Sequence, residues 1–384
     1  MIKKIIISIL IYIIHSGNLF AKENIISGKV RTEIYAINNY DSNVRQKEFR
    51  EYYNKTKLSL KANLKNNLSL SSVLKLSEMN QTLENLRRDR SVVDSGTRSF
   101  ENHGAYVEKL FFKYQINSFN FFAGKNTLNF GKAWKRDNYI WILNKASKYY
   151  RFNEKIAFGG SIKGGKSTND GQYILTYGSY FNDNKYLDNS IFTRRDYNDN
   201  YTTNVGNDKS LFSSYYSALD IDYDFGNKEV LKYHFGYIKS SINKRKDTIE
   251  RQKISDQKSY VANVNYQIPI TENIIPKIFL EYAILNNYQG NNFKDTSLLT
   301  KYIMLNLKHN YYLTYTRSTV KYIEIGKNGK DEIVDEVSFG YKFNTNIFKG
   351  LSTYIGYSKE KIDKKTSKNK TKSTILYLKY ENSF

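Results

Sequence analysis

Apolar and polar side chains alternate with a period of two in one short segment after another of this chain, and few folds accommodate that. In Ile26–Ala36 the even positions Ile26, Val30, Ile34 and Ala36 are apolar, while Lys29, Arg31 and Glu33 are charged. Lys55–Leu64 sets Leu58, Leu60, Ala62 and Leu64 against Lys55, Lys57 and Lys61. After Lys65-Asn66-Asn67, the positions Leu68, Leu70, Leu74 and Leu76 repeat the pattern. Residues two apart share one face of a strand, so each segment predicts a strand with one apolar and one polar face. Thirteen further segments follow: Tyr106–Gln115, Phe119–Asn126, Lys155–Lys163, Gln172–Phe181, Tyr215–Phe225, Val230–Lys239, Lys258–Ile268, Lys277–Leu285, Leu298–Lys308, Tyr311–Thr319, Glu336–Phe343, Leu351–Lys359 and Lys372–Phe384. An open sheet of such strands would aggregate at its edges. A closed barrel in lipid needs an apolar outer face and has no edge. The expectation is therefore all-β: a transmembrane antiparallel up-and-down β-barrel of about 16 strands.

The connections strengthen it. Short ones (Lys65–Asn67, Gln115–Ser118, Gly226–Lys228, Lys308–Asn310, Asn344–Lys349) alternate with long polar ones. The long ones are Asn39–Tyr52, Glu78–His103, Thr127–Glu154, Asn182–Ser214, Ser240–Gln257, Asn286–Ser297, Val320–Asp335 and Glu360–Thr371. Strict short–long alternation gives a barrel one end of tight periplasmic turns and one of external loops. Pro269 and Pro276, the only prolines, are expected in one periplasmic turn, where a missing N–H costs nothing.

Lys3 and Lys4 precede the apolar run Ile5–Ile14, and a small residue, Ala21, follows. That is the layout of a cleaved signal peptide, expected at residues 1–21 with the barrel over 22–384; the run is too short to span a bilayer as a helix. The exported chain has no cysteine, so disulfides do not hold its fold. It has 35 Tyr and 22 Phe yet a mean hydropathy of −0.63, a pairing that suits a barrel with polar lumen and loops and aromatic girdles. The formal charge of +23 is spread along the chain rather than gathered into an arm or helix, so no nucleic-acid partner is expected.

Gly160-Ser-Ile-Lys-Gly-Gly-Lys-Ser167 matches the phosphate-binding P-loop pattern. That chemistry needs a helix to open at Gly165-Lys166-Ser167, but an alternating segment follows, so a polar hairpin is expected and no nucleotide. His15, His103, His234 and His309 lack companions at metal-ligand spacing, and no cofactor, metal or catalytic residue is assigned. An enzyme, such as a barrel hydrolase, is the minority reading. A barrel that mainly displays loops such as Glu78–His103 and Asn182–Ser214 for adhesion is the chief rival to a pore.

The closing segment carries Leu376, Leu378, Tyr380 and the terminal Phe384 on one face. It resembles the C-terminal recognition strand of bacterial outer-membrane barrels, which implies a barrel-assembly signal read by the assembly machinery. In strand number and loop rhythm the chain resembles the 16-stranded general porins. Ala123-Gly-Lys-Asn-Thr-Leu-Asn-Phe-Gly-Lys-Ala-Trp134 is similar to the Gly-basic…Phe-Gly stretch that enters their third external loop. The resemblance implies a Gram-negative outer-membrane location, a homotrimer, and a water-filled channel for passive diffusion of small hydrophilic solutes and ions. It also implies that Thr127–Glu154 folds inward to constrict the pore. That loop offers Lys132, Lys135, Arg136, Lys145, Lys148 and Arg151 against Asp137 and Glu154, where general porins usually present acids. Strand parity places Lys29, Arg31, Lys55, Lys57, Lys61, Lys75, Lys109, Lys113, Lys232 and Lys379 on the lumen wall, with Glu33, Asp220, Asp222, Asp224 and Glu281 as the inward acids. Fixed positive charge in a narrow passage favours anions.

Overall fold

In the computed structural model, β1 (Ile26–Tyr40) pairs antiparallel with β2 (Phe49–Asn63) on one side and with β17 (Ser367–Ser383) on the other, so the sheet has no free edge. Between them the ring runs through β3 (Leu68–Glu78), β5 (His103–Ile116), β6 (Phe119–Asn126), β7 (Lys155–Gly165), β8 (Gln172–Tyr180), β9 (Tyr215–Gly226), β10 (Glu229–Ser240) and β11 (Gln257–Gln267). It continues through β12 (Ile274–Asn286), β13 (Lys294–Leu307), β14 (Tyr311–Glu324), β15 (Lys330–Lys342) and β16 (Leu351–Lys364). The result is a closed antiparallel barrel of sixteen strands. A short β4 (Thr97–Ser99) lies parallel to the outer end of β2. The structure describes residues 26–43, 49–64, 67–78, 97–99, 103–133, 149–166, 171–181, 213–241, 255–288, 294–308, 310–324, 330–344, 348–364 and 367–384. The expected signal peptide lies outside them.

Exposure divides the two faces as the alternation requires. Leu376, Leu378 and Tyr380 are exposed on β17, whereas Ile375, Tyr377 and Lys379 between them are buried toward the lumen. Aromatic rows lie at two heights on the outside. Tyr177, Tyr215, Tyr237 and Tyr260 form a row across β8–β11 near the loop end, with successive ring centroids 6.3, 6.0 and 5.2 Å apart. Near the turn end lie Tyr223 stacked with Phe225, and Tyr311, Tyr341, Phe343 and Phe348 in sequence. On β9 ten residues separate the rows; at ~3.3 Å per residue and a tilt of about 40° that is about 25 Å, the height of an outer-membrane apolar band.

The closing seam is held from both faces. Inside, Tyr53, Tyr35, Tyr377 and Tyr354 stack across β2, β1, β17 and β16 at centroid distances of 4.5, 4.7 and 4.8 Å. The Tyr35 and Tyr377 phenols both donate to the buried Glu33 carboxylate. Outside, Phe384 exchanges backbone hydrogen bonds with Gly28, 2.8 and 2.9 Å. Its ring covers the glycine so closely that a Cβ there would lie 2.2 Å from it. An aromatic laid over a strand glycine is a known way of filling the gap the glycine leaves.

Three expectations need correction. The strands run further outward than the alternation predicts: β14 extends to Glu324, β15 starts at Lys330, and β16 and β17 meet between Lys364 and Ser367. Beyond the apolar band both faces meet water, so the period-two signal fades while the ladder continues. Consequently the last external connections are short and the loop alternation is not strict; the turn between β15 and β16 is longer than the loops flanking it. Pro276 sits within β12, opposite Leu305 of β13, not in the turn with Pro269. Its carbonyl accepts from Ile268 N–H just past the end of β11, where the ladder no longer needs a donor. Gly160–Gly165 of the P-loop look-alike forms the end of β7 and no helix opens there, as expected of a strand entering a hairpin.

Candidate functional site: the lumen and the segment that crosses it

The inner face of β12 breaks the polar rule. Ile274–Asn286 is a nearly continuous apolar run: Ile278, Leu280 and Tyr282 are exposed outward, while Phe279, Ala283 and Leu285 are buried inward. On β13, Leu298, Tyr302 and Met304 are likewise buried inside. An apolar inner wall needs a cover, and the segment between β6 and β7 supplies it. Leu128, Phe130, Ala133, Tyr149, Tyr150 and Phe152, from its two described arms (127–133 and 149–154), join the same buried cluster. Phe130, with no exposed surface, meets Phe152 and Tyr150 edge-on at 5.5 and 6.2 Å. Burying a large apolar side chain such as Leu128, Phe130 or Phe152 stabilises the inward fold by about 1.5–3 kcal/mol.

Polar anchors fix where the arms lie. Glu281 of β12, 1 % exposed, accepts four hydrogen bonds: from Lys132 N–H at 2.6 Å, Ala133 N–H at 3.0 Å, the Asn263 amide at 2.8 Å, and the Tyr150 phenol. Burial and the neighbouring carboxylate push the Tyr150 phenol well above its ordinary pKa, so it remains a donor. Gly131 N–H donates to His234 Nε2 at 3.1 Å, so Nδ1 carries the ring proton and donates to Asp220 at 2.8 Å. Lys132 Nζ lies 2.7 Å from Asp220, which also accepts from the Asn129 amide. Gly131 has φ +71°, and a Cβ there would come within 2.6 Å of the Tyr150 ring. The Phe-Gly pair of the sequence motif thus seats a ring and turns the chain beneath another.

The return arm carries the geometry across. Tyr149 OH donates to Glu332 of β15 at 3.3 Å. Strand β15 stands eight strands from β7 in either direction around the ring, so the segment spans the full lumen. Its neck is tied by a Lys125–Glu154 ion pair (3.1 Å) and by Leu128 N–H to Phe152 carbonyl (3.0 Å).

The opposite wall is basic. Arg31, Lys57 and Lys75 stand directly opposite one another on β1, β2 and β3, and the row continues to Tyr106 of β5. Lys75 Nζ meets the Tyr106 hydroxyl at 2.6 Å. Glu108 lies among these cations, ion-paired with Lys57 and, at 3.5 Å, with Arg151 of the crossing segment. Simple parity puts Glu108 outside. A β-bulge between β3 and β5, where Val73 faces Lys109 but Leu74 faces Val107, inserts one residue and turns it inward.

The remaining sequence-selected residues fall as follows. Lys29 pairs with Glu381 (2.7 Å), Lys379 with the same carboxylate (3.4 Å), Arg31 with Glu33, and Lys232 with Asp222 (2.8 Å). Lys55 faces Glu33 in register, Lys61 faces Ser27 and Ser71, Lys109 faces Val73, and Lys113 faces Ser69 and Phe122. Lys132 and Arg151 are both placed, against Asp220 and Glu108. Lys135, Arg136, Asp137, Lys145 and Lys148 lie outside the described residues. Inward acids that parity missed include the buried Glu108, Glu332 and Glu336. For Glu332 the outward extension of β15 is the reason. The near-unbroken apolar run of β12 was the available signal for a covered inner wall.

A barrel of sixteen antiparallel strands with a chain segment folded across its lumen is a porin-like outer-membrane architecture. No protein-family model matches the sequence, and no curated protein does. Solved structures share the fold. The outer membrane channel DcaP of Acinetobacter baumannii is 12% identical, with 93% of this chain and 96% of that one covered and a TM-score of 0.54. OmpT of Vibrio cholerae, an outer-membrane protein, is 12% identical over 93% of this chain and 97% of its own, with a TM-score of 0.52. OpdK of Pseudomonas aeruginosa, solved with vanillate, is 9% identical over 94% and 99%, with a TM-score of 0.51. At these identities the likeness establishes the fold.

Proposed function

We propose that this chain is an outer-membrane porin: a water-filled channel for passive diffusion of small hydrophilic solutes and ions, with anions favoured. The observation that carries the anion preference is the row Arg31–Lys57–Lys75, three cations facing one another on adjacent strands of the lumen wall. Like charges directly opposite destabilise a sheet, so such a row is retained at a cost. Glu33 and Glu108 on the same wall pair with Arg31 and Lys57, while Lys75 meets the neutral Tyr106 hydroxyl, so the row keeps a net positive charge. The acids of the facing wall do not offset it, because Asp220, Glu281 and Glu332 are engaged in holding the crossing segment. Cations on one wall therefore act on the passage while the opposing carboxylates act on the segment. In a narrow passage with low-dielectric walls, that bias raises anion occupancy.

In this mechanism the Thr127–Glu154 segment sets the size limit, and Lys132, Lys135, Arg136, Asp137, Lys145, Lys148 and Arg151 belong to the constriction. No covalent step is involved. Residues 1–21 act as a cleaved signal peptide that exports the chain, and Leu376, Leu378, Tyr380 and Phe384 form the signal read by the barrel-assembly machinery. A homotrimer in the outer membrane of a Gram-negative cell completes the reading; OmpT of Vibrio cholerae has been solved in a trimer form. Vanillate, present with OpdK, is a small carboxylate of the solute class proposed.

The test is single-channel recording of the refolded protein in a planar lipid bilayer. Stable ohmic steps are expected, smaller in the presence of a carboxylate that partly occupies the passage. A correctly folded barrel that leaves the membrane silent contradicts the pore.

A further inference from the structure

The outer face of β16 and β17 carries a second group of cations that the lumen reading does not use. Lys359 stands directly opposite Lys372, and Lys361 directly opposite Lys370, with Lys368 next along β17 opposite Asp363. All point outward: they continue the exposed parity of Ile355 and Tyr357 on one strand and of Leu376, Leu378 and Tyr380 on the other. Two facing lysine pairs in succession are unfavourable for a sheet in water. The carboxylates nearby answer them only in part. Asp363 meets Lys361 at 3.1 Å and Asp41 meets Lys372, while Asp335 is already engaged by Arg317 at 3.2 Å and by the Tyr315 hydroxyl at 2.9 Å. The ledge is nonetheless held in place. Asn43, just past β1, bonds Lys370 N–H through its side-chain oxygen at 2.8 Å and donates its side-chain amide to the Lys368 carbonyl.

Its height on the barrel says what it meets. From Phe384 at the turn end to Thr374 is ten residues, about 25 Å at ~3.3 Å rise and about 40° tilt, which is the full apolar band. At Thr374 the outward neighbours become Tyr357 and Tyr40, interfacial aromatics, and Lys372 is the next outward residue. The lysines thus begin where hydrocarbon ends and lipid head groups lie.

We propose that the outer face of β16–β17, through Lys359, Lys361, Lys368, Lys370 and Lys372, is a docking site for phosphate-bearing lipid head groups of the leaflet at the loop end. A phosphate between facing lysines turns a repulsive pair into two charge-assisted contacts, and acyl chains continue down over Ile355, Leu376 and Leu378.

The experiment uses the refolded full-length mature chain in a neutral detergent. It is titrated with a bisphosphorylated acylated glucosamine disaccharide, the same lipid without phosphates, and inorganic phosphate, with binding read by native mass spectrometry. At least tenfold tighter binding of the phosphorylated lipid than of its dephosphorylated counterpart is expected, weakening steeply as salt rises from about 0.05 to about 0.5 M, over which the screening length falls about threefold. Substituting Lys359→Gln, Lys361→Gln, Lys370→Gln and Lys372→Gln together removes the repulsion, so it does not threaten folding; it should abolish that preference while leaving channel conductance unchanged. Equal binding of the two lipids, retention of the preference in the fourfold variant, or displacement of the lipid by equimolar inorganic phosphate overturns the proposal. None of these outcomes depends on whether the lumen conducts.

Discussion

Glu281 on β12 accepts a buried hydrogen bond from the hydroxyl of Tyr150, and the same carboxylate takes the main-chain N–H groups of Lys132 and Ala133 on the opposite arm of the crossing segment. One side chain on the wall thereby fixes both arms, and no cation is needed to do it. Short of proline, no substitution in the segment withdraws its backbone donors, so the wall residue, which accepts from both arms, is where one change breaks the latch.

Replacing Glu281 by Ala leaves two N–H groups, a phenol and an amide without their acceptor, at about 1–3 kcal/mol for each that stays buried. The segment is expected to leave the wall while the barrel remains closed. Single-channel conductance should rise and become noisy, with the heat-modifiable gel shift of the folded barrel retained. Conductance identical to wild type argues against the latch.

Glu108 moderates the basic row. Glu108→Gln removes one negative charge from the neighbourhood of Lys57 and Arg151. One unit charge acting on a passing ion at about 7 Å in water is worth about 0.6 kcal/mol, or about threefold in occupancy. The anion gains what the cation loses, so the anion-to-cation permeability ratio should increase by roughly the square of that factor. A decrease would place Glu108 elsewhere than beside the permeation path.

Gly28 leaves room for the terminal ring. Gly28→Val puts a side chain where Phe384 now lies, and it should lower the folded fraction in a urea titration by the ~1–3 kcal/mol typical of overpacking. Phe384→Ala added to that variant should cost little more, because the contact is already lost; full additivity would show that the two residues act independently.

The strands were legible because lipid makes the alternation obligatory between the girdles: each of the sixteen predicted segments falls on a barrel strand to within one residue at its end. Legibility ended where that constraint ended. Above the outer girdle neither face is required to be apolar, so the outer ends of β14, β15 and β16 carry no strand signal in the sequence. Glu108 was hidden for another reason, since a bulge changes parity without changing composition. The crossing of the lumen was legible only by resemblance. Its physical trace was the Ile278–Leu285 run, interrupted only by Glu281 and apolar on both faces because lipid lies on one and Phe130, Tyr149 and Tyr150 lie on the other. The basic character of the loop was misleading in one respect: Lys132 and Arg151 are spent on Asp220 and Glu108, and the cations that face one another lie on the wall.

The reversal potential in a KCl gradient tests the central claim most directly, measured on the wild type and on the paired substitution Lys57→Glu with Lys75→Glu. The account predicts an anion-selective potential for the wild type that moves to the cation-selective side in the double variant. A cation-selective wild type, or a double variant with unaltered selectivity in a folded barrel, would contradict it.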